Sequence, residues 1–401
     1  MTQAISNKSH WQQILIQQKL ANARRWLSLI ESQDDPTTLV STDYDNFLRA
    51  LETTLLSTET FDLAYQLIQS IYIFTLDYAD WDRWLIYLEK ALEISKKLHL
   101  QKEEATLLVQ IGDTLYRMAN LKRAKKLYKR ASELYKNLND PVGYANTLTK
   151  TAILIDLQGK INESIALCQQ ALDIAEGAED KEIVAQVHVY LSRIYYRSRN
   201  WEAALDTAQK AYEFYRLKGP TKLARKTLMN IIAIWAELGK WQEVDDVSKK
   251  LVNELTASGD IRTLSQLKNN LGVVAFNQKQ YQVAEGFWQE ALNLHSQIQE
   301  PTEQATLYNN LGVVYTLISE WQAAEEMLNR AVASHKQLGD VYNWANSLDN
   351  LADLYEAQGE TAVSRQILQE AHTGLLPIAD SPHALELLNS IAKRLERLTP
   401  Q

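Results

Sequence analysis

One pattern constrains this chain more than any other. From about Phe61 it repeats every 40 residues without a slip. Ile71, Ile111, Thr151, Leu191, Ile231, Leu271, Leu311, Leu351 and Ile391 fall on one position of the period. The next residue is small in most units (Gly112, Ala152, Ser192, Gly272, Gly312, Ala352, Ala392), with Tyr72 and Ile232 as exceptions. A bulky residue opens a second segment at Trp81, Leu121, Ile161, Trp201, Trp241, Tyr281 and Trp321. Small residues return three positions later (Ala124, Ser164, Ala204, Ala284, Ala324, Ser364) and seven after that (Ala91, Ala131, Ala171, Ala211, Ala291, Ala331, Ala371). Within Ala305–Ala331, Leu307, Leu311 and Val314 recur at helical spacing, and then Met327, Leu328 and Ala331 do. Each period therefore predicts two amphipathic helices joined by a short turn. Neither helix buries its apolar face alone, so the pairs must stack.

The rest of the chain is read around that array. Its 401 residues are too many for one ordinary core, and only 13 Gly and 7 Pro punctuate them, which favours long helices. The expected organisation is an N-terminal helical cap over 1–60, eight units over 61–380 and a capping helix in 381–401. In the cap, one helix is expected over Trp11–Ser32, a break at Asp34-Asp35-Pro36 and a second helix from about Thr42 to Ser57. Gly159, Gly239 and Gly359 suit helix ends, and Asp140-Pro141, Gly219-Pro220 and Glu300-Pro301 separate units. Unit 221–260 departs from the pattern with Arg225, Val244 and Leu251 at small-residue positions, so its packing is expected to differ.

Large–small–aromatic in the first helix, then aromatic–x–x–Ala and Ala in the second, resembles the tetratricopeptide repeat. The usual repeat is about 34 residues. The added residues here fall at the end of the second helix, as in EISKKLHLQKEE and ASHKQLGDVYN. That long-helix form is similar to the repeats of kinesin light chains, Pins-type adaptors, bacterial peptide-sensing regulators and MalT-like activators. The resemblance implies an all-α fold, a right-handed α-solenoid (superhelix) of tandem helix-turn-helix units. First helices would line a concave groove. It also implies a protein or peptide partner held in that groove.

The residues that suit such a groove form a row. Asn230, Asn270, Asn310 and Asn350 share one repeat position, and Asn269, Asn309 and Asn389 precede it by one. An amide offers donors and an acceptor, so it pairs with a peptide main chain whatever the side chain. Asparagine is a poor helix former, so propensity does not explain the row. In relatives such asparagines hold ligand backbone; here they either do that or bridge adjacent helices. Lys150, Arg193, Arg197, Lys226 and Lys268 give the first helices a basic middle, while Asp349, Asp353 and Glu356 give an acidic end. This would orient a bound peptide, or be solvated surface. The basic run Arg117–Lys136 reads as a solvated face. Trp201, Trp241 and Trp321 occupy a packing position, whereas Trp26, Trp288 and Trp344 fit the repeat less well and are either core or partner anchors.

Other functions find little support. The seven histidines are scattered without metal-ligand spacing, and no GxSxG, HExxH or GxxxxGK occurs. No enzyme activity, cofactor or metal is expected. The net charge of −8 argues against a nucleic-acid partner, the lone Cys168 against disulfides, and the absence of a signal or spanning segment for the cytoplasm. The expected function is a non-enzymatic protein-protein interaction scaffold binding a partner's peptide segment. The alternative is a ligand- or peptide-responsive sensor acting on a separate effector chain.

Overall fold

The computed structural model describes residues 2–32, 43–78, 80–118, 120–219, 221–295, 301–379 and 382–398. Asp34-Asp35-Pro36, Pro220 and Glu300 lie outside them. The described residues form 19 α-helices and no strand. Ahead of the repeats come α1 (Thr2–Glu31), which starts before the expected Trp11, and α2 (Tyr44–Thr54). The pairs are α3 (Phe61–Tyr78) with α4 (Trp81–Lys97), α5 (Gln101–Arg117) with α6 (Leu121–Asn137), α7 (Pro141–Asp156) with α8 (Ile161–Gly177), and α9 (Lys181–Arg197) with α10 (Trp201–Leu217). Then come α11 (Lys222–Glu237) with α12 (Trp241–Ser258), α13 (Ile261–Asn277) with α14 (Tyr281–His295), α15 (Pro301–Leu317) with α16 (Trp321–Gln337), and α17 (Val341–Ala357) with α18 (Thr361–Leu375). Last is α19 (Pro382–Arg397). The chain forms two compact units, Met1–Ile155 with Asn162–Val187, and Asp156–Ile161 with His188–Gln401.

The turns explain the period. A left-handed residue follows the helices at intervals of 20 residues, at His99, Asn139, Gly159, Glu179, Arg199, Gly219, Gly239, Gly259, Lys279, Ser319, Gly339 and Gly359. The N–H of the next residue returns to a carbonyl five positions back, as in Leu100 to Ser95 (2.9 Å) and Glu360 to Tyr355 (2.8 Å), and closes the helix. That same residue often caps the following helix. The side chains of Asp140, Asp260 and Asp340 each accept from the N–H three residues on, at 2.9, 3.1 and 3.1 Å. One residue pair thus stops one helix and starts the next.

The small positions carry the packing. Ala91, Ala131, Ala171, Ala211, Ala291, Ala331 and Ala371 are all fully buried. Where both helices present small residues, backbones come close enough for a hydroxyl to cross. Ser164 Oγ donates to the Ala152 carbonyl at 2.7 Å, and Ser192 Oγ to that of Ala204 at 2.9 Å. Glycine instead makes room for a large partner sixteen residues on. A Cβ on Gly112, Gly272 or Gly312 would lie 2.4, 2.4 and 2.5 Å from the side chains of Tyr128, Trp288 and Leu328. The exception Ile232 follows the same logic in reverse, because the residue sixteen on is the small Ser248, and Ile232 is fully buried.

The unit 221–260 is altered as expected. Val244 and Leu251 stand where alanines pack elsewhere, and both are buried. A cleft of about 1030 Å³ opens where α12 faces α13 and α14. It is lined by Val244, Val252, Leu271, Val274, Val283 and Phe287 among others.

Two buried histidines occupy one repeat position. His295 and His335 are 3% and 2% exposed, and the Nδ1 of each has no hydrogen-bond partner among the described residues. Burial lowers the pKa of both, against a partial upward pull from Glu303 on His295 and from Asp340 on His335. The folded state therefore resists a proton that the unfolded chain takes up near pH 6.5. Stability is lost as pH falls through that value. Leu255 and Leu375 are the equivalent residues of other pairs. Replacing both histidines with Leu is expected to flatten urea-unfolding midpoints between pH 7 and 5. It should also add about 1 kcal/mol per site at pH 7, because each removes an unpaired buried nitrogen. A variant as acid-sensitive as wild type would contradict this.

Candidate functional site

A ladder runs across neighbouring first helices. Residues i and i+41 pair repeatedly, one repeat plus one position, which is the stagger of adjacent first helices. Gln110 Nε2 donates to Gln69 Oε1 at 2.8 Å, and the Tyr72 hydroxyl donates to Asp113. Arg197 binds Asp156, and the Tyr196 hydroxyl donates to Glu237 at 3.3 Å. Two rungs are asparagine pairs. Asn310 Nδ2 donates to Asn269 Oδ1 at 3.1 Å, and Asn350 Nδ2 to Asn309 Oδ1 at 2.9 Å.

The asparagine row therefore divides in two. Asn269, Asn309, Asn310 and Asn350 bridge helices with half of their amide capacity. Among the described residues, Asn230 and Asn270 make no side-chain hydrogen bond; both are half-buried and line a cavity of about 540 Å³. Its wall comes from α9 (Ser192, Arg193, Tyr196, Arg197), α11 (Asn230, Ile234, Glu237), the start of α12 (Trp241) and α13 (Asn270, Val273, Val274). Of its charged side chains, Arg197 is held by Asp156 and Glu237 accepts from Tyr196. Arg193 is exposed and has no partner among the described residues. Burial and the Glu237 carboxylate push the Tyr196 hydroxyl up to about 12, so it stays a donor. The cavity can take a ligand whose polar groups meet two free amides and one free guanidinium.

The other basic side chains do not join this cavity. Lys150 bridges Asp113 at 2.9 Å inside the Met1–Ile155 unit. Lys226 lies exposed on α11. Lys268 lines the cleft beside α12, binds Glu290 at 2.6 Å and sits over the Phe287 ring at 5.3 Å. On α6, Lys122, Lys125, Lys126 and Lys129 are exposed as expected of a solvated face.

Models of one repeat family match these elements. Residues 144–217 and 263–337 fit one tetratricopeptide repeat model, and residues 344–374 a second. These residues are tetratricopeptide repeats. A signal-transduction ATPase with a tetratricopeptide repeat sensor, from Pyrococcus horikoshii, superposes with a TM-score of 0.57 at 16% identity, over 94% of this chain and 55% of that one. The apo form of RapI gives 0.52 at 17%, over 94% and 99%. This repeat protein thus spans 55% of the length of the archaeal ATPase. At such identities the likeness is one of fold, an all-α repeat solenoid. Comparison with curated proteins gives no match.

Two expectations are corrected in this repeat protein, on the acidic end and on Trp241, and one open alternative is decided, on three other tryptophans. The acidic end is not open to a ligand: Arg394 of α19 binds Asp349, Asp353 and Glu356, and Arg397 adds a second bond to Glu356 at 2.6 Å. Trp26, Trp288 and Trp344 are packed. Trp26 meets Phe47 edge-on at 5.7 Å, Trp288 is 3% exposed with Nε1 donating to the Asn269 carbonyl at 3.1 Å, and Trp344 covers Gly374. Trp241 is the reverse case. The period makes it core, yet it is 43% exposed and lines both the cavity and the cleft. Its counterparts Trp81, Trp201, Tyr281 and Trp321 are half-buried. The signal that finds it is Val244, three residues on, which breaks the Ala pattern.

Proposed function

We propose that this chain is a non-catalytic, cytoplasmic interaction scaffold that holds a peptide segment of another protein against its first helices, around Asn230 and Asn270. The observation that carries this reading is that both amides are unpaired, half-buried and face one cavity with Arg193. Two donors and an acceptor on each amide suit a peptide main chain. Lys226 adds positive charge on α11, while the Asn269–Asn310 rung ties α13, which presents Asn270, to α15. Residues 1–60 and 381–401 close the two ends of the eight units in 61–380.

The test compares two double variants against a partner recovered by affinity purification. Asn230→Ala with Asn270→Ala should weaken capture at least tenfold, a loss of about 1.4 kcal/mol, with the unfolding midpoint unchanged. Asn310→Ala with Asn350→Ala should keep capture and lower stability by about 1 kcal/mol per lost rung. Undiminished capture by the first variant, with an unchanged circular dichroism spectrum, would remove this site.

A second reading, a peptide-responsive sensor acting on a separate effector, is favoured by the cleft that leaves α12 loosely seated. Solution scattering with and without the captured segment separates the two, since a scaffold keeps its radius of gyration and a sensor does not.

A further inference from the structure

The cavity and the cleft share three lining residues, Trp241, Val274 and Gln278. They are two chambers meeting at one indole. On the α9–α11 side stand the unpaired Arg193 and the amides of Asn230 and Asn270. Between α12, α13 and α14, Val244, Val252, Leu271, Val283 and Phe287 form an apolar wall, rimmed by polar and charged residues such as Ser248, Lys249 and Lys268. Val244, which stands at an alanine position of the period, forms part of the wall of this second chamber. An exposed Trp at the junction of a polar and an apolar chamber is the kind of residue that anchors a partner.

We propose that the cleft behind Trp241 is a specificity pocket for a large apolar side chain of the bound segment, and that Arg193 takes a carboxylate from the same segment. The inference rests on the peptide reading above and adds the ligand's chemical class. Arg197 is neutralised by Asp156, while Glu237 only accepts a hydrogen bond from the Tyr196 hydroxyl and keeps its negative charge. An acidic group meets Arg193, the cavity cation without a partner among the described residues, in the planar geometry that a guanidinium offers a carboxylate. The apolar side chain then passes Trp241 and Val274 into a space of about 1030 Å³, which holds Leu, Met, Phe or Trp without displacing any backbone.

The probe is a positional-scanning library of acetylated pentapeptides, passed over the immobilised full chain. Wild type should enrich Asp or Glu at one position and a large apolar residue at another. Arg193→Gln should erase the acidic preference by tenfold or more and keep the apolar one. Val283→Trp fills the cleft from its exposed rim, and should do the converse. Retained peptides with no apolar preference, or a Val283→Trp profile equal to wild type, overturn the specificity pocket while leaving the peptide site standing. Retention without acidic preference overturns the role of Arg193. A wild-type chain that retains no pentapeptide defeats both this inference and the reading beneath it. Circular dichroism of each variant checks that the comparison is between folded chains, and Val283→Ala, which enlarges the cleft, should strengthen the preference for Trp.

Discussion

Gly272→Ala will cost about 3 kcal/mol, and Trp288→Leu on the same chain will recover most of it. The added methyl would sit 2.4 Å from the indole nitrogen of Trp288 and 2.6 Å from the neighbouring ring carbon. No real contact is that short, so the ring or the helix must move. The ring has nowhere to go, because it is 3% exposed and packed at 5.8 Å from Phe276. Moving it also breaks the bond from Nε1 to the Asn269 carbonyl, on the residue that carries one rung of the ladder. The rescue comes from the chain itself. At the equivalent place in the last pair, Ala352 lies sixteen residues before Leu368, and both are fully buried. An Ala–Leu pair is therefore a packing solution this repeat already uses. Trp288→Leu alone leaves a void and should cost about 2–4 kcal/mol, so the double variant is more stable than either single one. Because a repeat array does not unfold as one cooperative body, hydrogen exchange across α13 and α14 is the better measure. A Gly272→Ala change that leaves exchange there unaltered would mean the helices slide apart freely, and the volume-matching account would fail.

That volume matching shows what the sequence makes legible. The small residue after each aliphatic knob is visible in the sequence, and so is its helical partner, so helix bounds and buried alanines follow directly from the period. Their pairing by size across sixteen residues is equally visible once the turn geometry is known. The asparagine rungs are a harder case. Asn269, Asn270, Asn309, Asn310 and Asn350 stand out as a row in the sequence, but a row at one repeat position suggests side chains lying side by side. The actual partners are diagonal, i to i+41. That stagger is set by how neighbouring helices lean, which no spacing within a single repeat records. It decides which amides are spent: the diagonal pairs Asn269 with Asn310 and Asn309 with Asn350, and leaves Asn230 and Asn270 unpaired. Trp241 was misplaced for a related reason. Its counterparts in other units are half-buried, and the departure at Trp241 coincides with Val244 and Leu251 on its own helix.

Arg394 is the residue whose loss will be felt most. It lies 15% exposed on α19 and is the only cation among the described residues bound to Asp349 and Asp353, with Arg397 helping it at Glu356. Arg394→Ala leaves three carboxylates facing one another against a largely exposed Arg397. Removing one side of a half-buried ion pair costs about 3–5 kcal/mol, and here the loss falls on the contact that seats α19 against α17. The expected result is an α19 that exchanges its amide hydrogens at near-unfolded rates at pH 7, while α13–α16 stay protected. The pH response should identify the cause. Burial already raises the Asp349 carboxyl to about 6 despite the Arg394 charge, and raises Asp353 as well. In Glu356, burial works in the same direction, but the hydrogen bonds and charge of Arg394, Ser364 and Arg397 outweigh it and lower the pKa. A carboxyl raised in the folded state binds its proton there first, so its contribution to stability grows as pH falls from about 6 toward the unfolded value near 3.9. In wild type that gain opposes the histidine loss over part of the same range. In Arg394→Ala the opposing cation is gone, all three carboxyls rise, and protection of α19 should return in large part between pH 7 and 5. Asp349→Asn in the Arg394→Ala background should restore part of that protection at pH 7 without any acid. If α19 stays docked at pH 7 in Arg394→Ala, or if acid does not re-dock it, apolar packing of Ile391 and Leu395 rather than the ion cluster seats this helix.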